Sequence, residues 1–178
     1  MSITTRQGDG GNTRLFSGEL VAKDSPRPST YGDLDELVSI LGVARNFCRH
    51  DATREAILAL QRTLFILGSE IATSPAGYDR LPRRIDAQLM AELDRSRDEL
   101  EARIVLPRSF VIPAGSPAAA FLDLARTVAR RLERGMVGLH RTGDLPNDLV
   151  LVWINRLSDY LFLLARSEED AITPLKPT

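Results

Sequence analysis

The arginines of residues 126–134 are the side chains whose type and spacing most suggest chemistry in this sequence. Arg126, Arg130 and Arg134 recur at four-residue steps, so a helix would align their guanidinium groups in one row about 12 Å long. That length is comparable to an extended triphosphate, and guanidinium groups bind phosphate oxygens through paired N–H donors. Glu133 could hold one of these arginines in place. A solvated helix face with weak intrahelical ion pairs predicts the same spacing, so the row alone leaves both interpretations open.

A glycine-rich stretch near the start of the chain is a second candidate for phosphate binding. Residues 5–13 read Thr-Arg-Gln-Gly-Asp-Gly-Gly-Asn-Thr. The glycines allow successive backbone N–H groups to turn toward a phosphate, while the hydroxyl groups and Arg6 add further donors. A flexible polar tail has a similar composition, and composition alone favours that tail.

A polar cluster inside an otherwise apolar segment is the third candidate. Asn155, Arg156, Ser158 and Asp159 interrupt a stripe of large apolar residues. Burying such groups costs free energy unless partners satisfy them, so a purely structural helix would rarely contain four of them. This stretch is therefore expected to do more than pack.

Helical periodicity in the rest of the sequence indicates the elements that position these groups. Apolar residues at three- and four-residue steps predict five helices, over about 30–50, 57–71, 85–104, 116–140 and 150–170. Ser116 and Pro117 form a good helix start, because the hydroxyl can cap the first turn and proline loses no needed donor there.

The fold class that follows is all-α. We expect one domain, built as an antiparallel, ferritin-like five-helix bundle at residues 29–170. Glycine and proline in residues 1–28 predict an irregular N-terminal arm with little regular structure. Residues 171–178 are expected to form a tail that frays, and no segment shows the alternation of a strand.

Composition limits the classes of function. The chain has 178 residues, with 23 Lys plus Arg against 24 Asp plus Glu and a net charge of −1. This balance argues against a protein that coats nucleic acid or an anionic membrane, so neither partner is expected. No apolar run is long enough to span a membrane and the start lacks a secretory signal. The single cysteine, Cys48, forms no internal disulfide, which favours a reducing, cytoplasmic setting.

The remaining reactive residue types exclude several chemistries. His50 and His140 lie far apart and without neighbouring ligands, so we expect ordinary residues at helix C-termini and no metal site. Cys48 has no local sequence typical of a nucleophile and is interpreted as a small buried side chain. The sequence also lacks the Walker loop of P-loop nucleotide-binding proteins.

Six motifs in register make the chain resemble the PduO-type ATP:cob(I)alamin adenosyltransferases, also called corrinoid adenosyltransferases. The motifs lie at Thr5–Thr13, Val21–Asp24, Tyr31–Leu37, Phe110–Gly115, Arg126–Arg134 and Asn155–Phe162. Together they extend over nearly the whole chain. The sequence departs from the family's usual residues at Gln7, Leu20, Val38 and Ala114, where Ala114 stands in place of a glycine.

The resemblance implies a homotrimer of five-helix bundles with ATP and the corrinoid bound between neighbouring subunits. The triphosphate would be wrapped by arm residues and one lysine, namely Thr5, Arg6, Gly8, Asp9, Gly11, Thr13 and Lys23. Arg134, Glu133 and Asn155 would also contact ATP, and Asp35 would pair with Arg130 across the subunit boundary. Of these, Arg134, Asn155, Asp35 and Arg130 are expected to serve catalysis. Phe110 would lie near the lower face of the corrin ring.

The implied reaction transfers the 5′-deoxyadenosyl group of ATP to cob(I)alamin and releases triphosphate, with Mg²⁺ arriving on ATP and no protein metal site. A flavin reductase and an adenosylcobalamin-dependent enzyme are the further partners that this reaction suggests. Two alternatives stay open: a module that binds or delivers ATP or adenosylcobalamin with little turnover, and a structural bundle without a ligand.

Overall fold

The computed structural model describes residues 4, 6 and 8–175 of the chain. Its elements, in chain order, are strands β1 (Asn12–Arg14) and β2 (Leu20–Ala22), helices α1 (Pro26–Phe47) and α2 (Asp51–Ile71), a short 3-10 helix (Pro75–Arg80), and helices α3 (Ala87–Glu101), α4 (Pro117–Arg141) and α5 (Leu149–Ser167).

The five α-helices form the predicted bundle. Helix α1 packs against α2 and α4. Helix α5 packs against α4 and also against α3. The predicted apolar stripes supply the core, in which Leu37, Leu64, Leu132 and Leu157 are completely buried. Within the described residues, no helix is both long and apolar enough to cross a membrane.

The starts of helices α4 and α1 are explained by the residues in and just before their first turns. The Ser116 hydroxyl accepts a hydrogen bond from the Ala119 N–H at 3.1 Å, and Pro117 opens α4, as predicted. Helix α1 begins at Pro26 and not near Thr30 as predicted. The first turn of a helix needs no N–H donors, so Pro26 and Pro28 both fit there and do not delay the helix.

The expectation of little regular structure in the arm is wrong for residues 12–22. Strands β1 and β2 pair antiparallel there, with Thr13 opposite Val21. Three residues per strand leave too little alternation for the period of a strand to be read from sequence.

The prediction that the tail frays is also wrong for its described part. The Ile112 N–H donates to the Thr173 carbonyl at 2.9 Å, and the Leu175 N–H donates to the Phe110 carbonyl at 2.7 Å. These bonds join segments some sixty residues apart in sequence, so no local pattern announces them.

The two ends of the bundle carry different functional segments. At the arm end, the N-terminus of α1 meets the C-termini of α2 and α4, where Arg27 donates to the carbonyls of Ile71, the last residue of α2, and of Asp144, in the loop after α4. At the loop end, Phe47 of α1 stacks on Phe121 of α4 with ring centroids 5.4 Å apart, and residues 108–115 connect α3 to α4. Since α4 has 25 residues, the two ends are about 37 Å apart.

Candidate functional site

Helix α4 carries the predicted arginine row along its length. Arg130 and Arg134 are exposed, and the Arg134 Nη1 donates to the Arg130 carbonyl at 2.9 Å. Arg126 is partly buried, with its Nε 3.7 Å from an Asp123 carboxylate oxygen. The guanidinium groups of Arg130 and Arg134 have no carboxylate partner within the described part of the chain. The row therefore presents cationic donors that the fold itself does not neutralise.

Arg131 has a different role from its neighbours in the row. Its Nε donates to Asp33 at 2.9 Å and its Nη2 donates to Glu36, both on α1. The hydrogen bond to Asp33 is the main cause that raises the pKa of Arg131. Arg131 thus joins α4 to α1 and is not part of the row, which consists of Arg126, Arg130 and Arg134.

A cavity of about 360 Å³ opens beside the row, between α3, α4 and α5. Its polar lining consists of Arg97, Glu101, Arg126, Arg130, Ser158 and Asp159, and its apolar lining of Leu106, Phe162 and Leu163. Arg97 was not singled out from the sequence, where it interrupts the apolar row of the third helix. Its guanidinium binds Asp94 at 3.0 Å and Asp98 at 2.6 Å, and the Asp98 bond raises its pKa.

The polar cluster of α5 is less buried than expected. Asn155 donates to Glu133 of α4 at 3.1 Å, so Glu133 is fixed by an amide and not by an arginine of the row as suggested. Ser158 is buried and donates to the Asn155 carbonyl, whereas Asp159 is exposed. The polar residues therefore lie on the face of α5 that borders the row and the cavity.

The structure brings several of the predicted arm residues together. The Lys23 Nζ lies so close to Gly8 that a Cβ on Gly8 would be 2.9 Å from it, and the Lys23 N–H donates to the Gly11 carbonyl at 2.9 Å. Gly11 has φ +81°, a conformation that favours glycine. Lys23 therefore adds its charge to the glycine turn, whereas its predicted contact with a triphosphate stays a prediction.

The other arm residues extend from this turn. Asp9 is exposed within it, Thr13 is half-buried in β1, and Arg6 is exposed with φ +59°. Thr5 lies outside the described residues.

The hairpin that continues the arm docks on the end of α2. The Phe16 N–H donates to the Ala72 carbonyl at 2.8 Å, and the Ser74 N–H donates to the Ser17 hydroxyl at 2.9 Å. The Glu19 carboxylate accepts from the hydroxyls of Ser17 and Ser74. These two bonds, with Ser17 first, lower the pKa of Glu19, although the group is fully exposed.

Arg27 anchors this end of the bundle and was not singled out from the sequence. It is buried, and its guanidinium donates to the carbonyls of Ile71, Thr73 and Asp144 at 2.7–2.8 Å. The bonds to Ile71 and Thr73 satisfy carbonyls left open where α2 ends. Its position between two prolines was the only sequence sign that it enters a helix.

Asp35 and Phe110 stand apart from the contacts described so far. Asp35 is exposed on α1, and its carboxylate has no partner in the described residues. Phe110 is 84% exposed at the loop end. The arm docks at one end of the bundle and Phe110 lies at the other, with the arginine row and the cavity beside it in between, so the single chain does not bring Phe110 close to the arm.

The histidines and the cysteine have structural surroundings. His140, in the last turn of α4 as expected, places Nδ1 2.8 Å from the Leu145 carbonyl oxygen. His50 is the residue before α2 and not a C-terminal helix residue as expected. Cys48 is buried, which raises the pKa of its thiol to about 11. The described residues contain no group of three or more His, Cys, Asp or Glu arranged to hold a metal ion.

The sequence pattern of the cobalamin adenosyltransferase family matches residues 3–168. The chain belongs to this family.

Relatives agree over nearly the whole length of the chain. A corrinoid adenosyltransferase of Citrobacter freundii is 42% identical over 94% of this chain and 94% of its own. The corrinoid adenosyltransferase PduO of the same organism is 38% identical over 95% of this chain but only 50% of its own length.

A solved structure of the family has the same fold. It is a variant PduO-type ATP:corrinoid adenosyltransferase from Lactobacillus reuteri, with one phenylalanine replaced by alanine, complexed with cobalamin and ATP. Its TM-score to this chain is 0.91, with 29% identity over 99% of this chain and 100% of that one. The predicted all-α bundle and the family resemblance are both confirmed.

Proposed function

We propose that this protein is an enzyme that transfers the 5′-deoxyadenosyl group of ATP to cob(I)alamin, forming adenosylcobalamin and releasing triphosphate. One observation carries the proposal. In a chain of the cobalamin adenosyltransferase family, a row of arginines on α4 borders a cavity of about 360 Å³, and two of them, Arg130 and Arg134, have no carboxylate partner among the described residues. Such a row suits a ligand with a long anionic chain.

The reaction suits the residue types present. Cobalt(I) is itself the nucleophile: its electron pair forms the cobalt–carbon bond to C5′ of ATP. The bond from C5′ to the α-phosphate oxygen breaks, and its electrons leave with triphosphate. No general base is needed, so the protein must align the two substrates, exclude water and stabilise the departing charge.

The nucleotide end of the site uses the arm and the row. Gly8, Gly11 and Lys23 form a turn with backbone donors and one ammonium group, which suits a triphosphate. Arg134 is the row residue nearest this end, and the Glu133–Asn155 pair lies beside it. Mg²⁺ would arrive bound to the triphosphate, because it retains several waters and takes few protein ligands.

The corrinoid end of the site is apolar. Phe110 has an exposed ring and no side-chain atom that could coordinate a metal. The apolar lining of the cavity beside the arginine row includes Phe162 and Leu163. A ring below the corrin would leave cobalt(II) without a lower axial ligand. Removing that ligand makes reduction to cobalt(I) easier.

Assembly as a homotrimer is proposed on the outer face of α1 and α4. Val43 and Leu124 are exposed there beside the stacked rings of Phe47 and Phe121, forming an apolar strip on the surface. Contiguous apolar strips of this kind are typical of subunit contacts. On the same helices, Asp35 and Arg130 are exposed and available to pair between subunits.

The decisive experiment is an anaerobic assay with reduced cobalamin and ATP, following adenosylcobalamin and free triphosphate. We expect Arg134→Ala to lose roughly a hundredfold or more in turnover, because a charge facing the leaving group is removed. Arg141→Ala, an exposed arginine at the end of the same helix, is the matched control and should retain activity. Equal activities of Arg134→Ala and the natural protein would rule out this role. Binding of both substrates without a cobalt–carbon bond in the visible spectrum would indicate a binding module.

The subunit contact has its own test. Asp35→Asn should lower activity and weaken the trimer in light scattering, because it removes a charge from the proposed pair with Arg130. Asp79→Asn, an exposed carboxylate on the 3-10 helix, is the control. An unchanged mass and activity of Asp35→Asn would show that the pair is dispensable.

The proposed reaction also suggests partner enzymes and a cellular location for the protein. An enzyme that consumes cobalt(I) needs a reductase, for which a flavin protein is proposed, and its product serves an adenosylcobalamin-dependent enzyme. A single buried thiol, Cys48, supports a cytoplasmic setting.

A further inference from the structure

The loop that carries Phe110, residues 108–115, has little packing of its own. Phe110, Ile112 and Ala114 are all exposed. Ala114 also has φ +79°, a left-handed conformation that costs an alanine free energy and persists only where surrounding contacts hold it. The position of this Phe110 loop must therefore be set by groups outside it.

The C-terminal segment supplies the first of these contacts. Val111 and Pro174 lie opposite each other in an antiparallel bridge, flanked by the backbone bonds of Phe110 and Ile112 to residues 173–175. Pro174 has no N–H, so the C-terminal side of the bridge has no donor left to satisfy at its centre. This contact holds the front half of the loop.

Glu169 holds the rear half. Its Oε1 accepts a hydrogen bond from the Gly115 N–H at 3.0 Å. The glycine is packed directly against this carboxylate, because a Cβ there would lie 2.9 Å from both Cγ and Cδ of Glu169. The carboxylate thus fixes the residue that follows the strained Ala114.

Buried charges fix Glu169 in turn. The Arg166 guanidinium donates to Glu169 at 3.0 and 2.9 Å and to Asp123 of α4 at 2.5 Å. The side chains of Arg166 and Glu169 are each 1% exposed, and that of Asp123 is 8% exposed. Burial alone would lower the pKa of Arg166, but the bonds to both carboxylates outweigh it and raise the pKa, so the group stays charged.

This ion triad of Asp123, Arg166 and Glu169 also adjoins the cavity. The Arg166 guanidinium lies 4.9 Å from the centroid of the Phe162 ring, which lines the cavity. On its other side, Asp123 lies 3.7 Å from Arg126 of the row. Buried ion pairs are weak contributors to stability compared with apolar packing, and fixing one geometry is the use that suits them here.

We propose that Glu169 is a positioning residue for the corrinoid side of the reaction: held by the ion triad, it sets the Phe110 loop and through it the ring below the corrin. The location of the corrinoid in this inference rests on the proposed function. The positioning of the loop by Glu169 does not depend on that function. The arm turn, which is proposed to bind the triphosphate, lies at the other end of the bundle and should be unaffected.

The test compares Glu169→Ala with Asp170→Ala in the full chain. Asp170 is the neighbouring carboxylate, exposed and bonded to Arg49 away from the loop. In Glu169→Ala, hydrogen exchange at the Gly115 amide should accelerate roughly tenfold, as expected for the loss of a bond to a charged acceptor. The KM for cob(I)alamin should rise about fivefold or more while the KM for ATP changes less than about twofold. Asp170→Ala should change neither.

Further variants separate positioning from simple loss of structure. Glu169→Gln keeps a side-chain oxygen for the Gly115 N–H, so it should restore much of the amide protection. If Glu169 acts through Phe110, adding Glu169→Ala to Phe110→Ala should raise the corrinoid KM no further. Unchanged exchange in Glu169→Ala, equal rises in both KM values, or additive effects in the double variant would overturn the proposal. Exchange is measured without substrates, so a natural protein that makes no adenosylcobalamin would refute the proposed function and leave this readout intact.

Discussion

The arm and the Phe110 loop are both irregular segments that flank the same row of arginines, yet they are held in opposite ways. The arm hairpin docks through exposed groups, with Glu19 bound to the hydroxyls of Ser17 and Ser74. The Phe110 loop is tied to buried charges, of which Arg166 is only 3% exposed. Contacts at the surface can be exchanged for contacts with a ligand or with water, whereas buried charges cannot. The difference indicates that the arm, which is proposed to bind the nucleotide, can rearrange, whereas the Phe110 loop, which is proposed to lie beside the corrinoid, is fixed in advance.

The largest effect is expected when the ion triad is broken. Arg166→Met leaves the Asp123 and Glu169 carboxylates buried without the guanidinium that binds both, and this should cost about 3–5 kcal/mol in the free energy of unfolding. The melting temperature of a protein of this size should fall by about 6–20 °C. Thermal and denaturant unfolding measure both quantities.

A triple variant separates stability from geometry. Adding Asp123→Leu and Glu169→Met to Arg166→Met removes every charge of the triad and should recover most of the lost free energy. Protection of the Gly115 amide should stay low, because its acceptor is gone. A loss below about 1 kcal/mol in Arg166→Met would contradict the contrast between the two segments.

A matched pair of glycines tests the contrast at intermediate size. A Cβ on Gly115 would lie 2.9 Å from Glu169, and a Cβ on Gly77 would lie 2.7 Å from Cβ of Ser17 in the arm hairpin. Gly115→Ala should destabilise the whole fold by about 1–3 kcal/mol, because the fixed Glu169 cannot yield freely. Gly77→Ala should displace the arm and change global stability by less than about 1 kcal/mol.

Two readouts distinguish these outcomes. Denaturant unfolding reports the global loss, and trypsin cleavage after the exposed Arg14 reports release of the arm. Similar global losses in both variants, with no faster cleavage in Gly77→Ala, would show that arm and loop are held alike.

The smallest effect concerns Glu19 and pH. The hydroxyls of Ser17 and then Ser74 hold the pKa of this carboxyl below its ordinary value of 4.5. Because the folded-state pKa is lowered, the contribution to arm docking is complete above pH 4.5 and is lost as pH falls through the folded-state pKa.

Exchange and titration measure this contribution. Exchange at the Phe16 amide should rise roughly two- to fivefold in Glu19→Gln, with Glu55→Gln of α2 as the control. The amide signal of Ser74 should titrate below pH 4.5 in the natural protein and stay flat in Glu19→Gln. A titration that persists in the variant would assign it to another group.

The bundle was predictable because its determinants are local. Stripes such as Leu34, Leu37 and Leu41 repeat within one helix, and the Ser116 cap acts on Ala119, three residues away. The row of arginines was predictable for the same reason, since one helix carries all of it.

The interactions that could not be predicted from the sequence join residues that are far apart along the chain. Arg166 and Glu169 resemble an ordinary charged helix end, and only the fold brings Asp123 to them from 43 residues away. Arg27 likewise acts through Asp144, 117 residues further on. The homotrimer and the Asp35–Arg130 pair stay predictions, because they concern a second copy of the chain.

The placement of the two flanking segments at opposite ends of one continuous helix has an evolutionary consequence. A substitution near Phe110 or in residues 169–175 meets none of the groups that shape the glycine turn, some seven helical turns away along α4. Natural selection can therefore change the specificity for different corrinoids and the affinity for the nucleotide independently. We expect natural divergence in these two preferences to map onto two distinct sets of positions.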